Sequence, residues 1–181
     1  MNLYISGSNR KGNCYQLLND LKEDEDSFIA LADKEIQYCL GCNQCLKGLE
    51  DICVLKDDMQ EIYKEILKAD KIIIATPIYM NHITGILKNV IDRWNPFGAK
   101  DTYLKGKKIY LLTIGQISEE ENENIVKEIK RYFEGISEFM GFEFRFLRNL
   151  SSGNILEVDD IRKNYKNYED IIKNLKRKIM E

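Results

Sequence analysis

Four cysteines lie close together in this 181-residue chain, and their spacing could support metal chemistry. Two residues separate Cys39 from Cys42 and Cys42 from Cys45, and seven residues separate Cys45 from Cys53. Short spacings let three thiolates converge from a single turn, and Gly41 permits a sharp bend between them. Four thiolates on one compact loop can surround a four-iron, four-sulfur (4Fe-4S) cluster.

The cysteine pattern alone leaves other uses open. Structural zinc sites favour two separated pairs of ligands or added histidines, and the single histidine, His82, lies elsewhere. Free thiols without a metal and a disulfide formed as a redox event are the remaining alternatives. The total of five cysteines is odd, which weakens a disulfide framework. Cys14 stands outside the series, and we expect it to be a small buried residue.

A polar turn near the N-terminus is a second stretch that could do chemistry. An apolar run from Leu3 to Ile5 enters the turn at 6–13, and an amphipathic run with Leu17 leaves it. This order predicts a strand, a tight turn and the start of a helix. Backbone N–H groups at a helix N-terminus, hydroxyls, an amide and the charge of Arg10 all suit a phosphate. An ordinary surface turn would use similar residues.

The rest of the chain predicts the scaffold that would position these two stretches. Apolar, β-branched runs predict five strands, and amphipathic periods predict helices between them. The predicted strands are 2–6, 27–32, 71–75, 109–114 and 142–147, and the main predicted helices are 13–22, 57–69, 84–94, 118–140 and 159–180. The alternation predicts a doubly wound α/β fold: a parallel sheet of about five strands, helices on both faces, and a single domain over 1–181.

Three loops should meet where this sheet binds ligands. Ligands of such sheets lie at the carboxyl ends of the strands, which makes neighbours of loops 6–14, 77–82 and 113–117. The first loop has neither a Gly-x-Gly-x-x-Gly nor a Gly-Lys-Ser/Thr pattern, so a terminal phosphate such as that of FMN fits it better. Pro77 followed by Ile78, Tyr79 and Met80 offers flat or soft surface to the ring, and the N–H groups near Met80 and Asn81 could bond its reactive edge.

The chain resembles the NADPH-dependent FMN reductases of the flavodoxin-like superfamily over about residues 2–115. The matching stretches are 7–13, 57–59, 69–75, 77–79 and 85–93. The resemblance implies a flavodoxin-like five-stranded parallel sheet of order 2-1-3-4-5, FMN as cofactor and NAD(P)H as co-substrate. It also implies dimers with the flavin near the subunit interface, where Trp94 and Phe97 would lie, and simple core packing is the alternative for Trp94. Cys14 replaces the Thr or Ser usual in the family. The implied FMN-binding residues are Ser8, Arg10, Lys11, Gly12, Asn13, Cys14, Pro77, Ile78, Tyr79, Met80, Asn81, Thr113, Ile114 and Gly115.

The cysteine loop is similar to that of the iron–sulfur flavoproteins, relatives in the same superfamily. There a cluster exchanges single electrons with a ferredoxin and passes them to FMN. The resemblance implies Cys39, Cys42, Cys45 and Cys53 as the ligands of a 4Fe-4S cluster. Because the loop follows the second strand, we expect it at the same sheet edge as the flavin loops. Similar cysteines also occur in reductases that hold no cluster.

Composition excludes several functional classes. With 27 basic and 30 acidic residues the net charge is −3, which disfavours nucleic acid and a polybasic membrane anchor. No apolar run is long enough to span a membrane, and no signal peptide is evident. We therefore expect a cytoplasmic FMN-dependent oxidoreductase that passes electrons to a quinone, a flavin or a similar small acceptor. An iron–sulfur relay with ferredoxin is the alternative, and a homodimer or higher homo-oligomer is expected.

Three smaller predictions concern single side chains. Asp57 and Gln60 have the spacing of a capping box at the start of a helix. Lys88 and Arg93 are expected to be solvated helix charges or salt-bridge partners. His82 could donate a proton near the flavin, since an imidazole titrates near neutrality, although a lone histidine is more often an ordinary loop residue.

Overall fold

A computed structural model describes residues 1–47, 52–99, 104–116, 120, 122–152 and 160–181. Within these residues, five strands and six α-helices follow one another in a largely alternating order. The strands are β1 (Asn2–Ser6), β2 (Ser27–Ala30), β3 (Lys71–Pro77), β4 (Lys108–Gly115) and β5 (Glu143–Ser151). The helices are α1 (Asn13–Leu21), α2 (Met59–Lys68), α3 (Gly85–Asp92), α4 (Asn95–Ala99), α5 (Glu123–Met140) and α6 (Tyr168–Met180), with short 3-10 turns at Leu31–Asp33, Gln44–Lys47 and Ile161–Asn164.

The strands form one parallel sheet, which confirms the predicted fold. Their order is β2-β1-β3-β4-β5, and every neighbouring pair is parallel. Ser6 at the end of β1 pairs with Ala75 in β3. The register therefore brings the carboxyl ends of the central strands to one edge. There the chain after β1 leads to α1 on one face of the sheet, and the chain after β3 leads to α3 on the other face.

Each face of the sheet buries its own apolar layer. Successive side chains of a strand point to opposite faces, so Ile72 and Ile74 enter one layer while Ile73 and Ala75 enter the other. The first layer packs under α2, α3 and α5, and the second under α1 and α6. Among the described residues, no helix is long and apolar enough to cross a membrane.

Several element boundaries differ from prediction because tertiary contacts set them. Strand β5 continues to Ser151, four residues past its predicted end, because it pairs with β4 as far as Gly115. The predicted last helix is interrupted, with a 3-10 turn at Ile161–Asn164 before α6 begins at Tyr168. Residues 118 and 159, the predicted first residues of the last two helices, lie outside the described residues.

The predicted capping box at Asp57 is wrong, because a buried ion pair engages the carboxylate. The guanidinium of Arg93 donates to both Asp57 carboxylate oxygens, at 2.8 and 3.2 Å. Gln60 donates instead to the carbonyl oxygens of Cys53 and Leu55. The Arg93 side chain is 1% exposed and that of Asp57 5%, so Arg93 is a salt-bridge partner and not a solvated charge. Lys88 pairs with Asp92 on the surface.

Trp94 and Phe97 are core residues in this chain. Trp94 is 0% exposed and Phe97 1% exposed, and Trp94 packs edge-on against Phe142. Core packing, the alternative for Trp94, is therefore confirmed, and a subunit interface near these residues stays a prediction.

Asp57→Asn should destabilise the fold strongly. The substitution leaves the Arg93 charge buried without an anion, which typically costs about 3 kcal/mol. Asp92→Asn is the matched control, because it removes an exposed pair worth at most about 0.5 kcal/mol. Urea unfolding of both variants at pH 7 measures the difference, and equal losses would contradict a structural role for the buried pair.

The cost of Asp57→Asn should also depend on pH. Burial would raise the pKa of Asp57, but hydrogen bonds from Arg93 and from backbone N–H groups outweigh it, and the pKa lies below the ordinary 3.8. The stabilisation is therefore present above pH 3.8 and lost as the pH falls through the lowered native value. The stability gap between the wild type and Asp57→Asn should shrink on acidification below pH 3.8, as urea titrations at pH 3 and 6 would show.

Candidate functional site

Hydrogen bonds join the loops that follow β1, β3 and β4. The Gly7 N–H donates to the Ala75 carbonyl at 2.8 Å, and the Ile78 N–H donates to the Ile114 carbonyl at 2.9 Å. The Thr84 hydroxyl caps α3 and also donates to the Gly7 carbonyl at 2.6 Å. The prediction that these loops are neighbours is confirmed.

The joined loops surround a cavity of about 750 Å³ at the carboxyl edge of the sheet. This volume is within the range usual for a cofactor. Its wall is formed by Ser8, Arg10, Asn13, Cys14, Pro77, Ile78, Tyr79, Met80, Ile114, Gln116 and Ser152. Most of the predicted FMN-binding residues therefore converge on one space, and their contacts with FMN stay a prediction.

One end of the cavity suits an anion. The N-terminus of α1 opens there, and Gly12 before it provides no side-chain cap, so backbone N–H groups remain for a ligand. A Cβ on Gly7 would lie 3.0 Å from the Leu87 side chain and 3.2 Å from the Ala75 carbonyl oxygen, so a larger residue there would crowd α3 and β3. Burial raises the pKa of the Cys14 thiol, which keeps it protonated.

The other end of the cavity is bordered by a tight turn. Tyr79 and His82 exchange two backbone hydrogen bonds, at 2.9 and 3.1 Å. Met80 and Asn81 between them have φ values of +46° and +64°, as a type I′ turn requires. These two hydrogen bonds use the N–H groups of Tyr79 and His82, so the N–H groups of Met80 and Asn81 take no part in the bridge. Met80 is 97% exposed, so this side of the cavity is open to an incoming molecule.

Some predicted residues lie outside the cavity wall. Lys11 forms a salt bridge with Asp33 at 2.8 Å, and the buried Thr113 hydroxyl donates to Asn149 at 2.8 Å. His82 packs edge-on against Tyr132, with ring centroids 5.4 Å apart, and does not line the cavity either. Gly12, Asn81 and Gly115 are also absent from its wall.

Gln116 and Ser152 line the cavity but were not predicted. Both directly follow strands, β4 and β5, whose carboxyl ends lie at this edge. The Ser152 N–H and hydroxyl both donate to the Gly115 carbonyl, at 2.7 and 3.1 Å. The two serines in the loop after the predicted last strand could have indicated a cavity residue. Which of them lines the cavity depends on where β5 ends.

The four cysteines of the loop after β2 line a second, much smaller cavity of about 30 Å³. Gly41 bends this loop with φ +62°. Cys39 and Cys42 are exposed, and Cys45 and Cys53 are partly buried. The rest of the wall includes Leu40, Asn43, Val54, Leu55, Arg93 and Asn95. The Asn95 amide donates to the Cys45 sulfur at 3.4 Å.

Arg93 lies where the cysteine loop meets the helical layer. Its guanidinium donates to the Gln37 carbonyl at 2.9 Å in addition to Asp57. Its buried Nε has no hydrogen-bond partner among the described residues. Burial lowers its pKa, but the hydrogen bond to Asp57 and the nearby Tyr63 and Cys53 raise it above the ordinary value. Arg93 is thus a permanent buried cation beside the thiols.

The cysteine side chains do not form a metal site in this arrangement. In the described part of the chain, no three His, Cys, Asp or Glu side chains converge closely enough to hold a metal ion, which supports neither zinc nor a 4Fe-4S cluster. The cavity of about 30 Å³ holds little more than one water molecule. The cluster ligands Cys39, Cys42, Cys45 and Cys53 therefore stay a prediction.

The cavity lined by the four cysteines is separate from the larger cavity at the carboxyl edge of the sheet, which we call the flavin cavity. The cysteine loop begins near the flavin edge, where Gln37 and Asn9 line a common groove, and then runs along α3. Arg93 and Asn95 follow the end of α3, whereas loop 77–82 precedes its start. An eight-residue helix is about 12 Å long. The expectation that this loop lies at the carboxyl edge of the sheet holds for its start, and the thiols line a separate cavity.

The fold and the cavity at the carboxyl edge define a flavodoxin-like protein. The chain belongs to the NADPH-dependent FMN reductase family, because the sequence pattern of that family matches residues 2–124. An iron–sulfur flavoprotein of Methanocaldococcus jannaschii is 38% identical over 118 residues, 61% of this chain and 59% of that protein. A second one from that organism is 35% identical over 136 residues, 71% of this chain and 69% of that protein.

A solved structure, the Trp repressor binding protein of Bacillus subtilis, has the same fold. The TM-score is 0.64 at 22% identity, with 98% of each chain covered. Two iron–sulfur flavoproteins of Archaeoglobus fulgidus are matched over 47% and 49% of their length. The chain thus spans about half the length of several curated relatives that it matches.

Arg10→Ala should weaken FMN binding at the phosphate end. A charge-assisted hydrogen bond is worth about 1.5–3 kcal/mol, so we expect at least a roughly tenfold higher Kd for FMN. Affinity for riboflavin, which lacks the phosphate, should not change. Lys11→Ala is the matched control, because the Lys11 ammonium is engaged by Asp33. Fluorescence titration of the wild-type and variant apoproteins with FMN and with riboflavin measures these dissociation constants, and equal losses for the two ligands would contradict the phosphate assignment.

Proposed function

We propose that this protein is an FMN-dependent oxidoreductase that accepts hydride from NAD(P)H and passes electrons to a quinone, a flavin or a similar small acceptor. The observation that carries the proposal is the cavity of about 750 Å³ at the carboxyl edge. An anion-binding helix N-terminus lies at one end and an exposed tight turn at the other. Membership of the NADPH-dependent FMN reductase family supports it.

The chain's own groups bind and orient the cofactor. The α1 N-terminus, Ser8, Arg10 and Asn13 would hold the phosphate, and Ile78 and Ile114 would pack against the ring. The N–H groups of Met80 and Asn81, held in place by the Tyr79–His82 bridge, would bond the reactive edge of the ring. FMN itself supplies the hydride chemistry.

Donor and acceptor would reach the ring from the side of the tight turn. Tyr79 is 46% exposed and Met80 almost completely exposed. Their soft, apolar side chains suit a flat nicotinamide or quinone ring. We propose that the protein acts in the cytoplasm, where thiols stay reduced, as one domain that assembles into a homodimer or higher homo-oligomer.

A second candidate function is an electron relay, favoured by the four cysteines around one cavity. Cys39, Cys42, Cys45 and Cys53 would hold a 4Fe-4S cluster, which supplies one-electron chemistry. The partner would be ferredoxin. Relatives named iron–sulfur flavoprotein support this candidate.

The absorption spectrum and the iron and sulfide content of protein purified without oxygen should distinguish the reductase from the electron relay. We expect bound FMN and bleaching of its absorption by NADPH if the reductase proposal is correct. Iron and sulfide at about four each per chain, with bleaching by reduced ferredoxin, are expected of the relay. A colourless protein that remains colourless after FMN is added would contradict both.

Cys42→Ser should separate the two candidates. Loss of one thiolate should abolish cluster assembly and reduction by ferredoxin, and FMN content and NADPH oxidation should stay at wild-type levels, because Cys42 does not line the flavin cavity. Cys14→Ser is the matched control for iron content, since Cys14 lies outside the cysteine cavity. If Cys42→Ser also loses NADPH oxidation, the two sites do not act separately.

A further inference from the structure

A groove of about 710 Å³ runs between the loop after β1, the chain after β2 and the first turns of α3. We call it the α3 groove. Asn9 lines it, and the neighbouring residues Ser8 and Arg10 line the flavin cavity. Gly85, the first residue of α3, also lines it and follows closely on the Tyr79–His82 bridge. The α3 groove therefore adjoins both the loop at the anion-binding end of the flavin cavity and the chain that leaves the tight turn.

The wall of the α3 groove on the side of the cysteine loop is held in place by hydrogen bonds with three side chains. The Asn89 amide nitrogen donates to the Ile36 carbonyl at 2.9 Å. The Gln37 N–H donates to Asp57 at 2.8 Å, and the Gln37 carbonyl accepts from Arg93 at 2.9 Å. The groove is therefore preformed, which reduces the entropy cost of binding a ligand there.

Asn89 brings an unused hydrogen-bond acceptor to the α3 groove that it lines. The residue is 6% exposed, and its buried Oδ1 has no hydrogen-bond partner among the described residues. The bond from Nδ2 to the Ile36 carbonyl fixes the orientation of the amide, and Nδ2 carries a second N–H. An acceptor and a donor side by side match the amino group and N7 of adenine, with which asparagine forms paired hydrogen bonds.

The rest of the wall suits an uncharged aromatic ring. Ile36 and Ile86 are apolar, and Tyr38 is 80% exposed. An exposed aromatic side chain is a surface on which a base can stack. Lys34 is the one charged residue among the described residues that line the groove, and its ammonium pairs with Glu61. The groove therefore offers little unbalanced charge to a phosphate and fits a base better.

We propose that the α3 groove binds the adenine ring of the dinucleotide that supplies hydride to FMN. The inference rests on the proposed reductase function, which requires NAD(P)H. Asn89 pairs with the amino edge of the ring, and Tyr38 stacks on its face. The linker of the dinucleotide passes Gly85 towards the exposed Met80 of the tight turn. The groove thus adds affinity for the donor and takes no part in hydride transfer.

Three donors separate the adenine contacts from the chemistry. The first is NADH or NADPH, whichever the wild type oxidises faster, and the second is its hypoxanthine counterpart. The third is reduced nicotinamide mononucleotide (NMNH), which has no adenine. Hypoxanthine carries an oxygen in place of the amino group, so it would face the Asn89 Oδ1 with a second acceptor. We expect kcat/KM of the FMN-loaded wild type to fall at least about fivefold with the hypoxanthine donor.

Two substitutions test the groove from the side of the protein. Tyr38→Ala removes the stacking ring, and Gly85→Leu fills the groove, because a Cβ on Gly85 would have no neighbour within 4 Å. Leu46→Ala is the matched control, since Leu46 is an exposed apolar residue of the same loop that does not line the groove. We expect Tyr38→Ala and Gly85→Leu to raise KM for the dinucleotide at least about fivefold. FMN content and kcat/KM with NMNH should stay at wild-type levels, because neither residue lines the flavin cavity.

Unchanged kcat/KM for the dinucleotide in Tyr38→Ala, or an equal loss with NMNH, would overturn the proposal. If Gly85→Leu loses FMN, Tyr38→Ala decides by the same criterion. Equal kcat/KM of the wild type with the adenine and hypoxanthine donors would overturn the pairing with Asn89.

Calorimetry with ADP-ribose, which is the donor without its nicotinamide, separates this inference from the proposed function. ADP-ribose should bind the FMN-loaded wild type and Leu46→Ala alike, and Tyr38→Ala at least about fivefold more weakly. If the wild type binds it in this way but oxidises none of the three donors, the reductase function is refuted and the adenine site stands. If ADP-ribose does not bind the wild type, or binds Tyr38→Ala equally well, the adenine site is overturned whatever the activity.

Discussion

The buried ion pair between Arg93 and Asp57 joins segments that are far apart in the sequence. It joins the end of α3 to the start of α2, and the same guanidinium also bonds the Gln37 carbonyl at the start of the cysteine loop. The Tyr63 hydroxyl donates to the Arg93 carbonyl at 2.6 Å. Because several large apolar side chains of the cysteine loop are exposed, among them Tyr38 and Leu40, polar contacts of this kind carry much of its attachment to the fold.

Helix α3 connects the two sites that the protein presents. At its start, Thr84 caps the helix and donates to the Gly7 carbonyl in the first loop of the flavin edge. Just past its end, Arg93 and Asn95 line the cysteine cavity. One packed helix therefore sets both the position of the turn after β1 and that of the thiols.

The flavin edge depends on backbone geometry more than on particular side chains. Parallel pairing brings the ends of β1, β3 and β4 together, and the glycine at position 7 lets the first loop approach Ala75 and Leu87 closely. The turn at Met80 and Asn81 adopts positive φ values that non-glycine residues rarely take. Such backbone strain often accompanies ligand sites, and Met80 of this turn lines the cavity.

The order of strands and helices, the sheet and the meeting of its loops could be predicted from the sequence, because β-branched runs and helical periods are local patterns and parallel sheets bind ligands at one edge. The sequence alone also singled out four cysteines as a set. Only the tertiary structure showed that Asp57 pairs with Arg93 instead of capping α2, and that Gln116 and Ser152 join the cavity. It also showed that the thiols meet Asn95 at the far end of α3. These depend on contacts between residues 36 or more positions apart, which no local pattern encodes.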